Sequence, residues 1–291
     1  MIAADTELAP VLSALGLTDA QRLGGGSEAS VYALDAERVA RIHRPGTAPQ
    51  SIAFRNALLN ELSQSAERVP FALPTVLDQK EVAGRTVTIE RCLPGEPLST
   101  VLETLEGAAR TKLIERYLEA VALIGELEVA RPWLGDLREA DAVRTSTFRA
   151  YLTERAARSL ALAGTDFATI SPQALAAALP EPNQKALVHF DAFAGNVLCD
   201  GETITAILDF GATALIGDRR LDPLTAVIYL TPEITPSATE QDRLTAQRWL
   251  EAQGWANLFE PVQRWVAAYW AFASDDLELH AWCRRVLLPT Q

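Results

Sequence analysis

The first third of the chain alternates hydrophobic and polar residues in short runs that are typical of strands. These runs predict two hairpins, one with strands at 31–34 and 38–42 and one with strands at 77–82 and 85–93. Apolar residues at helical spacing predict a helix before the first hairpin, residues 7–16, and another between the two hairpins, residues 52–66. Pro94-Gly95-Glu96-Pro97 then interrupts the pattern. It predicts a boundary between a first domain, residues 1–93, and a second, residues 94–291.

Beyond that boundary the hydrophobic period becomes that of amphipathic helices. Steps of three and four residues separate apolar side chains from Leu113 to Leu127, and further helices are predicted over residues 147–162, 172–179 and in the segment 239–288. The order of elements predicts an α+β fold. A small strand-rich lobe would precede a large helical lobe that contains one inserted hairpin.

That inserted hairpin is the most informative stretch of the sequence. Residues 197–198 and 204–208 predict its strands, with Asp200-Gly201 as the turn. Because a tight hairpin brings its ends together, Asn196 and Asp209 are expected to be neighbours.

The oxygen-bearing side chains of Asp191, Asn196 and Asp209 would then share one small site, as a magnesium-dependent phosphoryl transferase requires. Asp191 could accept a hydrogen bond from a substrate hydroxyl, while Asn196 and Asp209 could bind Mg²⁺. The alternative is a polar loop whose Asp and Asn side chains stabilise turns. His189 is expected to hydrogen-bond this loop rather than act as a base.

A glycine-rich stretch, Gly24-Gly25-Gly26-Ser27, precedes the strand at 31–34. It could fold over a phosphate chain and present backbone N–H groups to it, or it could be an ordinary hairpin turn. No Gly-Lys-Ser/Thr follows and no helix begins there, which argues against a Walker A loop and a dinucleotide-binding fold. Arg41, on the strand behind, could bind nucleotide phosphates and be oriented by Glu61, or form a surface ion pair.

Two other groups of residues each have two possible roles. Asp218 and Asp222 could stabilise the loop around Asp191 through backbone N–H groups, or cap a helix before Pro223. The C-terminal aromatic residues include Trp265, Tyr269 and Phe272 on one helical face. Most of the aromatic residues are expected in the core, but some could line an acceptor cleft together with Asp275, Asp276 and Glu278.

Charge and cysteine content narrow the class of protein further. The formal net charge of −12 argues against nucleic acid as a partner, because a phosphate backbone requires a basic surface. The three cysteines are far apart in the sequence, so neither a disulfide framework nor a zinc site is indicated, and a reducing cytoplasm is the expected compartment. No signal peptide or membrane span is expected.

Two segments carry a family resemblance. The run from His189 to Leu198, HFDAFAGNVL, and the run from Ile207 to Gly211, ILDFG, resemble the catalytic and metal-binding segments of the aminoglycoside phosphotransferase family. That family has a bilobal, protein-kinase-like fold and includes choline, homoserine and fructosamine kinases as relatives.

The resemblance implies a role for each matched position. Asp191 would be the catalytic residue, assisted by Asn196, and Asn196 and Asp209 would hold Mg²⁺. Residues 90–93 would form the hinge between the lobes, with the backbone of Glu90 and Cys92 at the adenine. The positions implied to bind nucleotide are Gly25, Gly26, Ser27, Arg41, Glu61, Glu90 and Cys92.

The chain departs from the family pattern at Arg41, where Lys is more familiar, and at Asn56, where some members have Glu. Whether Asn56 or Glu61 partners Arg41 therefore stays open. The expected function is transfer of the γ-phosphate of ATP or GTP to a hydroxyl of an aminoglycoside, amino sugar or similar molecule, by a monomer or weak homodimer. The alternative is a catalytically idle nucleotide-binding or scaffold protein. A protein kinase is disfavoured, because no activation segment is recognisable between Gly211 and Asp218.

Overall fold

The computed structural model describes residues 4–17, 21–25 and 28–288. The elements of its N-terminal part are α1 (Ala4–Ala14), β1 (Arg22–Gly25), β2 (Ala29–Ala33), β3 (Arg38–His43), α2 (Pro49–Leu62), β4 (Val76–Val82) and β5 (Arg85–Arg91). A 3₁₀ helix, Ser63–Arg68, continues α2. Both predicted hairpins and both predicted helices are therefore confirmed, with ends shifted by a few residues.

The five strands form one antiparallel sheet in the order β1-β2-β3-β5-β4. Ala83 and Gly84, with φ of +47° and +75°, form the turn between β4 and β5, in the left-handed conformation that a tight hairpin requires. In register, Arg41 of β3 lies between Val31 of β2 and Thr88 of β5. The sheet therefore holds the Arg41 backbone rigidly from both sides.

A first hydrophobic cluster joins helix α1 to this sheet. Leu8, Val11 and Leu12 of α1 pack with buried sheet residues that include Tyr32, Ala40, Ile42, Val87 and Ile89. The helical spacing of the first set and the alternation of the second explain why each element presents one apolar face.

The rest of the chain is mainly helical and confirms the predicted α+β class. Its helices are α3 (Leu98–Val101), α4 (Gly107–Ala122), α5 (Phe148–Leu162), α6 (Pro172–Ala177), α7 (Leu221–Tyr229), α8 (Glu240–Ala252), α9 (Phe259–Trp270) and α10 (Leu277–Leu287). Its strands are β6 (Glu96–Pro97), β7 (Leu134–Asp136), β8 (Arg144–Thr145), β9 (Lys185–Val188), β10 (Val197–Asp200), β11 (Thr203–Ile207) and β12 (Leu215–Asp218). Helix starts carry local signals: Thr147 caps α5, and Thr239 forms a capping box with Asp242 at α8.

Two small sheets position the segments singled out in the sequence. The hairpin β10–β11 pairs with β6 in the order β11-β10-β6, and a second sheet has the order β8-β7-β12-β9. The hairpin turn differs from the predicted Asp200-Gly201. Asp200 pairs with Thr203, so the turn residues are Gly201, with φ of +56°, and Glu202.

A second hydrophobic cluster fills the helical part and extends beyond it. Leu58, Leu59 and Leu62 of α2, with Phe71 and Leu73 after it, are buried in this cluster rather than in the first. Ala72 also donates its N–H to Thr205 (2.8 Å) and accepts one from Ile207 (3.2 Å), beside β11. The division at residues 93/94 remains a prediction based on composition.

No helix within residues 4–17, 21–25 and 28–288 has both the length and the apolar composition needed to cross a membrane.

Candidate active site

The loop of residues 189–196, here the Asp191 loop, has a strained backbone that buried contacts hold in place. Phe190 has φ of +68°, which is costly for a bulky residue, and its ring is fully buried against Tyr269, with ring centroids 4.4 Å apart. The two carboxylate oxygens of Asp222 accept the backbone N–H groups of His189 (2.9 Å) and Phe190 (2.7 Å). Asp222 therefore fixes the start of the loop, one of the two roles that its position in the sequence allowed.

Asp222 is itself deeply buried. Burial raises its pKa to about 7, although the two N–H donors act in the opposite direction.

The carbonyl groups of the Asp191 loop are fixed as well. Side-chain hydroxyls donate to them: Tyr229 to Phe190 (2.9 Å), Tyr117 to Ala192 (2.7 Å) and Thr213 to His189 (2.9 Å). These donors come from α7, α4 and the segment after β11. The loop is therefore held by α4, α7 and the segment after β11, and such fixed contacts are what a preorganised site requires.

His189 connects the Asp191 loop to the exit of the hairpin. Its Nδ1 accepts the N–H of Asp191 (3.1 Å), and its Nε2 lies 2.7 Å from the carbonyl of Leu208, so this network assigns the proton to Nε2. Burial lowers the pKa of His189 and favours the neutral ring. The expected hydrogen-bonding of the loop by His189 is thus confirmed.

The hairpin brings the three oxygen-bearing residues together, as predicted. Leu208 donates its N–H to the carbonyl of Asn196 (2.7 Å), which places Asn196 beside Asp209. The Asn196 amide donates to the Asp191 carbonyl (2.9 Å) and to its carboxylate Oδ2 (3.3 Å). Burial and the nearby Asp209 raise the pKa of Asp191 to about 8, so this carboxyl group can exchange a proton near neutral pH.

Arg41 reaches across from the sheet to Asp209. Its Nη2 donates to Asp209 Oδ1 at 2.8 Å, and Asp209 adopts φ of +61°. Burial alone would raise the pKa of Asp209, but Arg41 and Arg55 more than offset it and hold the pKa below its usual value. Asp209 is therefore ionised at neutral pH.

The residues at this position fit a magnesium ion. Asn196 uses its amide nitrogen for Asp191, which leaves its oxygen as a ligand, and Asp209 is an ionised carboxylate; both are the hard oxygen donors that Mg²⁺ prefers. Among the described residues there is no group of three His, Cys, Asp or Glu side chains that could hold a metal ion. Two protein ligands would suit Mg²⁺, which usually keeps several waters and binds substrate phosphates.

The glycine-rich stretch ends strand β1. Gly25 pairs with Ser30 of β2, and a Cβ on Gly25 would lie only 3.1 Å from the Ala29 carbonyl, so β1 and β2 approach each other closely there. Gly26 and Ser27 lie outside the described residues. Glu28 interacts electrostatically with both Arg41 and Asp191, so Glu28 lies near the candidate site.

Glu61 does not orient Arg41, and that prediction was wrong. Its carboxylate pairs with both Nη atoms of Arg131, at 2.8 and 2.7 Å. The alternative, Asn56, donates instead to Gln79 at 2.8 Å. Neither residue of α2 that was considered partners Arg41, whose hydrogen-bonded acid is Asp209.

Glu90 and Cys92, the two predicted adenine-binding positions, already make hydrogen bonds within the protein. The N–H of Cys92 donates to the Glu37 carbonyl at 2.7 Å, so it is not available to a bound base. The Glu90 side chain is buried and accepts both Nη atoms of Arg55, at 2.8 and 3.1 Å. Sequence reasoning missed Arg55; the signal was a cation among apolar residues of α2, next to Ile52, Leu58 and Leu59.

The remaining candidates differ in their environments. Asp218 accepts from the backbone N–H and the guanidinium of Arg220. Trp265 and Tyr269 are buried in the core, whereas Trp270 and Phe272 are half-buried. Asp276 caps α10 by accepting the N–H of Leu279 (3.0 Å), and Asp275 and Glu278 are exposed.

The different environments of Arg41 and Glu61 predict different effects on nucleotide binding. Arg41→Met should raise the KM for nucleotide by about 10- to 100-fold, the loss expected for a charge-assisted hydrogen bond. Glu61→Ala should change that KM by less than about threefold, because its ion pair with Arg131 is partly exposed and lies elsewhere. Steady-state kinetics of both variants measures the difference, and equal effects would contradict this assignment.

A family profile matches most of the chain. The profile of the phosphotransferase enzyme family matches residues 19–258. A search of curated proteins found no match.

Several solved structures have a similar fold. The gentamicin complex of APH(2")-IIa superposes with a TM-score of 0.64 at 12% identity, covering 100% of this chain and 97% of that one. ADP-bound aminoglycoside phosphotransferase APH(2'')-Ib gives 0.62 at 13% identity, covering 99% and 97%. The GDP and kanamycin complex of APH(2")-IIia gives 0.60 at 14% identity, covering 98% and 96%. At these identities the likeness establishes the kinase-like fold, and the family match over most of the sequence shows that the chain belongs to the phosphotransferase enzyme family.

Proposed function

We propose that the protein transfers the terminal phosphate of ATP or GTP to a hydroxyl group of a small molecule. The observation that supports this most directly is the convergence of Asp191, Asn196 and Asp209 at the end of the β10–β11 hairpin, with Arg41 above them. In phosphoryl transfer the protein has little covalent work to do, so positioned charges account for most of catalysis.

Asp191 would accept the hydrogen bond of the acceptor hydroxyl and receive its proton as the oxygen attacks phosphorus. The hydrogen bond from the Asn196 amide fixes the orientation of this carboxylate. Asn196 and Asp209 would hold Mg²⁺, which when bound neutralises charge on the transferred phosphate. Arg41 would leave Asp209 and bind the phosphates of the nucleotide, since its guanidinium can form two parallel hydrogen bonds to them.

The acceptor is proposed to be a hydroxylated amine such as an aminoglycoside or amino sugar. Proteins with the same fold form complexes with gentamicin and kanamycin in their solved structures. The acidic character of the chain is compatible with a cationic acceptor.

The test is a screen of aminoglycosides, amino sugars and other hydroxylated amines with Mg-ATP and Mg-GTP. Nucleotide consumption should depend on one acceptor class, and mass spectrometry should detect that acceptor with one added phosphate group. Nucleotide binding without transfer to any acceptor would instead favour the catalytically idle alternative.

A further inference from the structure

Arg55 is a buried cation on helix α2. Its Nη atoms bind the two Glu90 oxygens at 2.8 and 3.1 Å, and the side chains are only 5% and 8% exposed. Two parallel charged hydrogen bonds of this kind fix both the position and the plane of a guanidinium group. Helix α2 is thereby joined to the end of β5, next to the predicted hinge.

The other side of Arg55 faces the metal-binding segment. A Cβ built on Gly211 would lie 3.9 Å from Arg55 Cγ, which places the Arg55 stem against the chain two residues after Asp209. Arg55 therefore lies between Glu90 on one side and the segment 209–211 on the other.

Four charged side chains of this region form two ion pairs, Arg41 with Asp209 and Arg55 with Glu90. Arg41 also interacts electrostatically with Glu90. If no cation neutralised the Glu90 carboxylate, that carboxylate would attract Arg41 away from Asp209. Because Arg55 neutralises Glu90, Arg41 is left with the more exposed Asp209 as its hydrogen-bonded acid, and Mg²⁺ can take over that acid.

We propose that Arg55, held by Glu90, is a positioning residue that keeps the segment 209–211 in place for Mg²⁺ and leaves Arg41 available to nucleotide phosphates. This rests on the proposed nucleotide-dependent function. The sequence predicted an acid on α2, Glu61, as the partner of a cation in the sheet. The structure instead has a cation on α2, Arg55, whose partner acid, Glu90, lies on β5.

The test compares two ion pairs that each have one member on helix α2. Arg55→Met/Glu90→Met removes both charges together, so that no buried charge is left unpaired. Glu61→Met/Arg131→Met is the matched control, since that Arg–Glu pair is also bidentate and also involves α2. Hydrogen exchange of residues 207–214 in the ligand-free protein is the first measurement, and isothermal titration of ATP with and without Mg²⁺ is the second.

The Arg55/Glu90 double variant should exchange amide hydrogens in residues 207–214 about tenfold faster or more. The factor by which Mg²⁺ increases ATP affinity should be about tenfold smaller in this variant than in the wild type. The affinity for ATP without Mg²⁺ should stay within about threefold of the wild-type value. The control should change neither quantity. A merely structural pair would alter the melting temperature without altering the Mg²⁺ dependence.

Unchanged exchange and Mg²⁺ dependence in the Arg55/Glu90 variant would overturn the proposal. If that variant does not fold, Arg55→Lys decides, because it keeps the charge and loses the bidentate geometry. Smaller changes in the same direction in Arg55→Lys would support the proposal. The absence of any change in exchange or Mg²⁺ dependence would overturn it. Failure of the wild type to bind nucleotide would refute the proposed function, whereas the exchange measurement needs no nucleotide and still tests the positioning role.

Discussion

Replacing Asp191 with Asn is expected to lower kcat by about 10²- to 10⁴-fold, the usual contribution of a positioned proton acceptor. The substitution preserves size, and its amide oxygen can still accept the hydrogen bond from Asn196. It removes the ability to take a proton from the acceptor hydroxyl. Nucleotide affinity should remain within about threefold, because Arg41, rather than Asp191, is proposed to contact the phosphates.

Asp200→Asn is the matched control for this variant. Asp200 is an exposed residue at the turn end of the same hairpin, so the same chemical change there should leave kcat and KM unchanged. Steady-state kinetics with the acceptor found in the screen, together with titration of nucleotide, separates the two quantities. Wild-type kcat in Asp191→Asn would refute the role proposed for this carboxylate.

Replacing Asp222 with Ala is expected to reduce both stability and turnover. The change leaves the buried N–H groups of His189 and Phe190 without acceptors, which should lower the free energy of unfolding by about 2–4 kcal/mol. It also removes the contact that holds Phe190 at φ of +68°. Since displacement of a reacting group by about 1 Å can cost about 10²-fold, kcat should fall by about 10-fold or more.

Asp218→Ala provides the comparison from the same short segment. Asp218 binds Arg220, which is two residues away, and contacts no part of the Asp191 loop in the described structure. Its removal should cost about 1 kcal/mol and leave kcat unchanged. Denaturant unfolding and kinetics of both variants measure the difference, and equal kcat values would show that Asp222 does not position the loop.

The core of the candidate site followed from sequence because it depends on local rules. A period of two and a glycine turn predict a hairpin, and a hairpin forces residues at its two ends together. Asn196 and Asp209 are neighbours for that reason alone. The helix caps and the αL turn at Gly84 are similarly local.

The ion pairs did not follow from sequence, since they depend on how helix α2 is rotated against the sheet. Glu61 is six residues after Arg55, which is about 240° around the helix axis. The two side chains therefore face different surroundings: Arg55 faces Glu90 and Gly211, and Glu61 faces Arg131. The sequence also could not decide whether Asp218 and Asp222 stabilise the Asp191 loop or cap a helix, because only the folded chain brings His189 to Asp222.

The burial of Leu58, Leu59 and Leu62 in the second hydrophobic cluster bears on how the protein unfolds. A fragment beginning at residue 94 would lack these side chains and the strand-like contact of Ala72 with β11, and would expose the apolar surface that they cover. Neither half of the chain could then reach its full stability alone. The molecule should melt in a single cooperative transition in which the five-stranded sheet and the helical part are lost together.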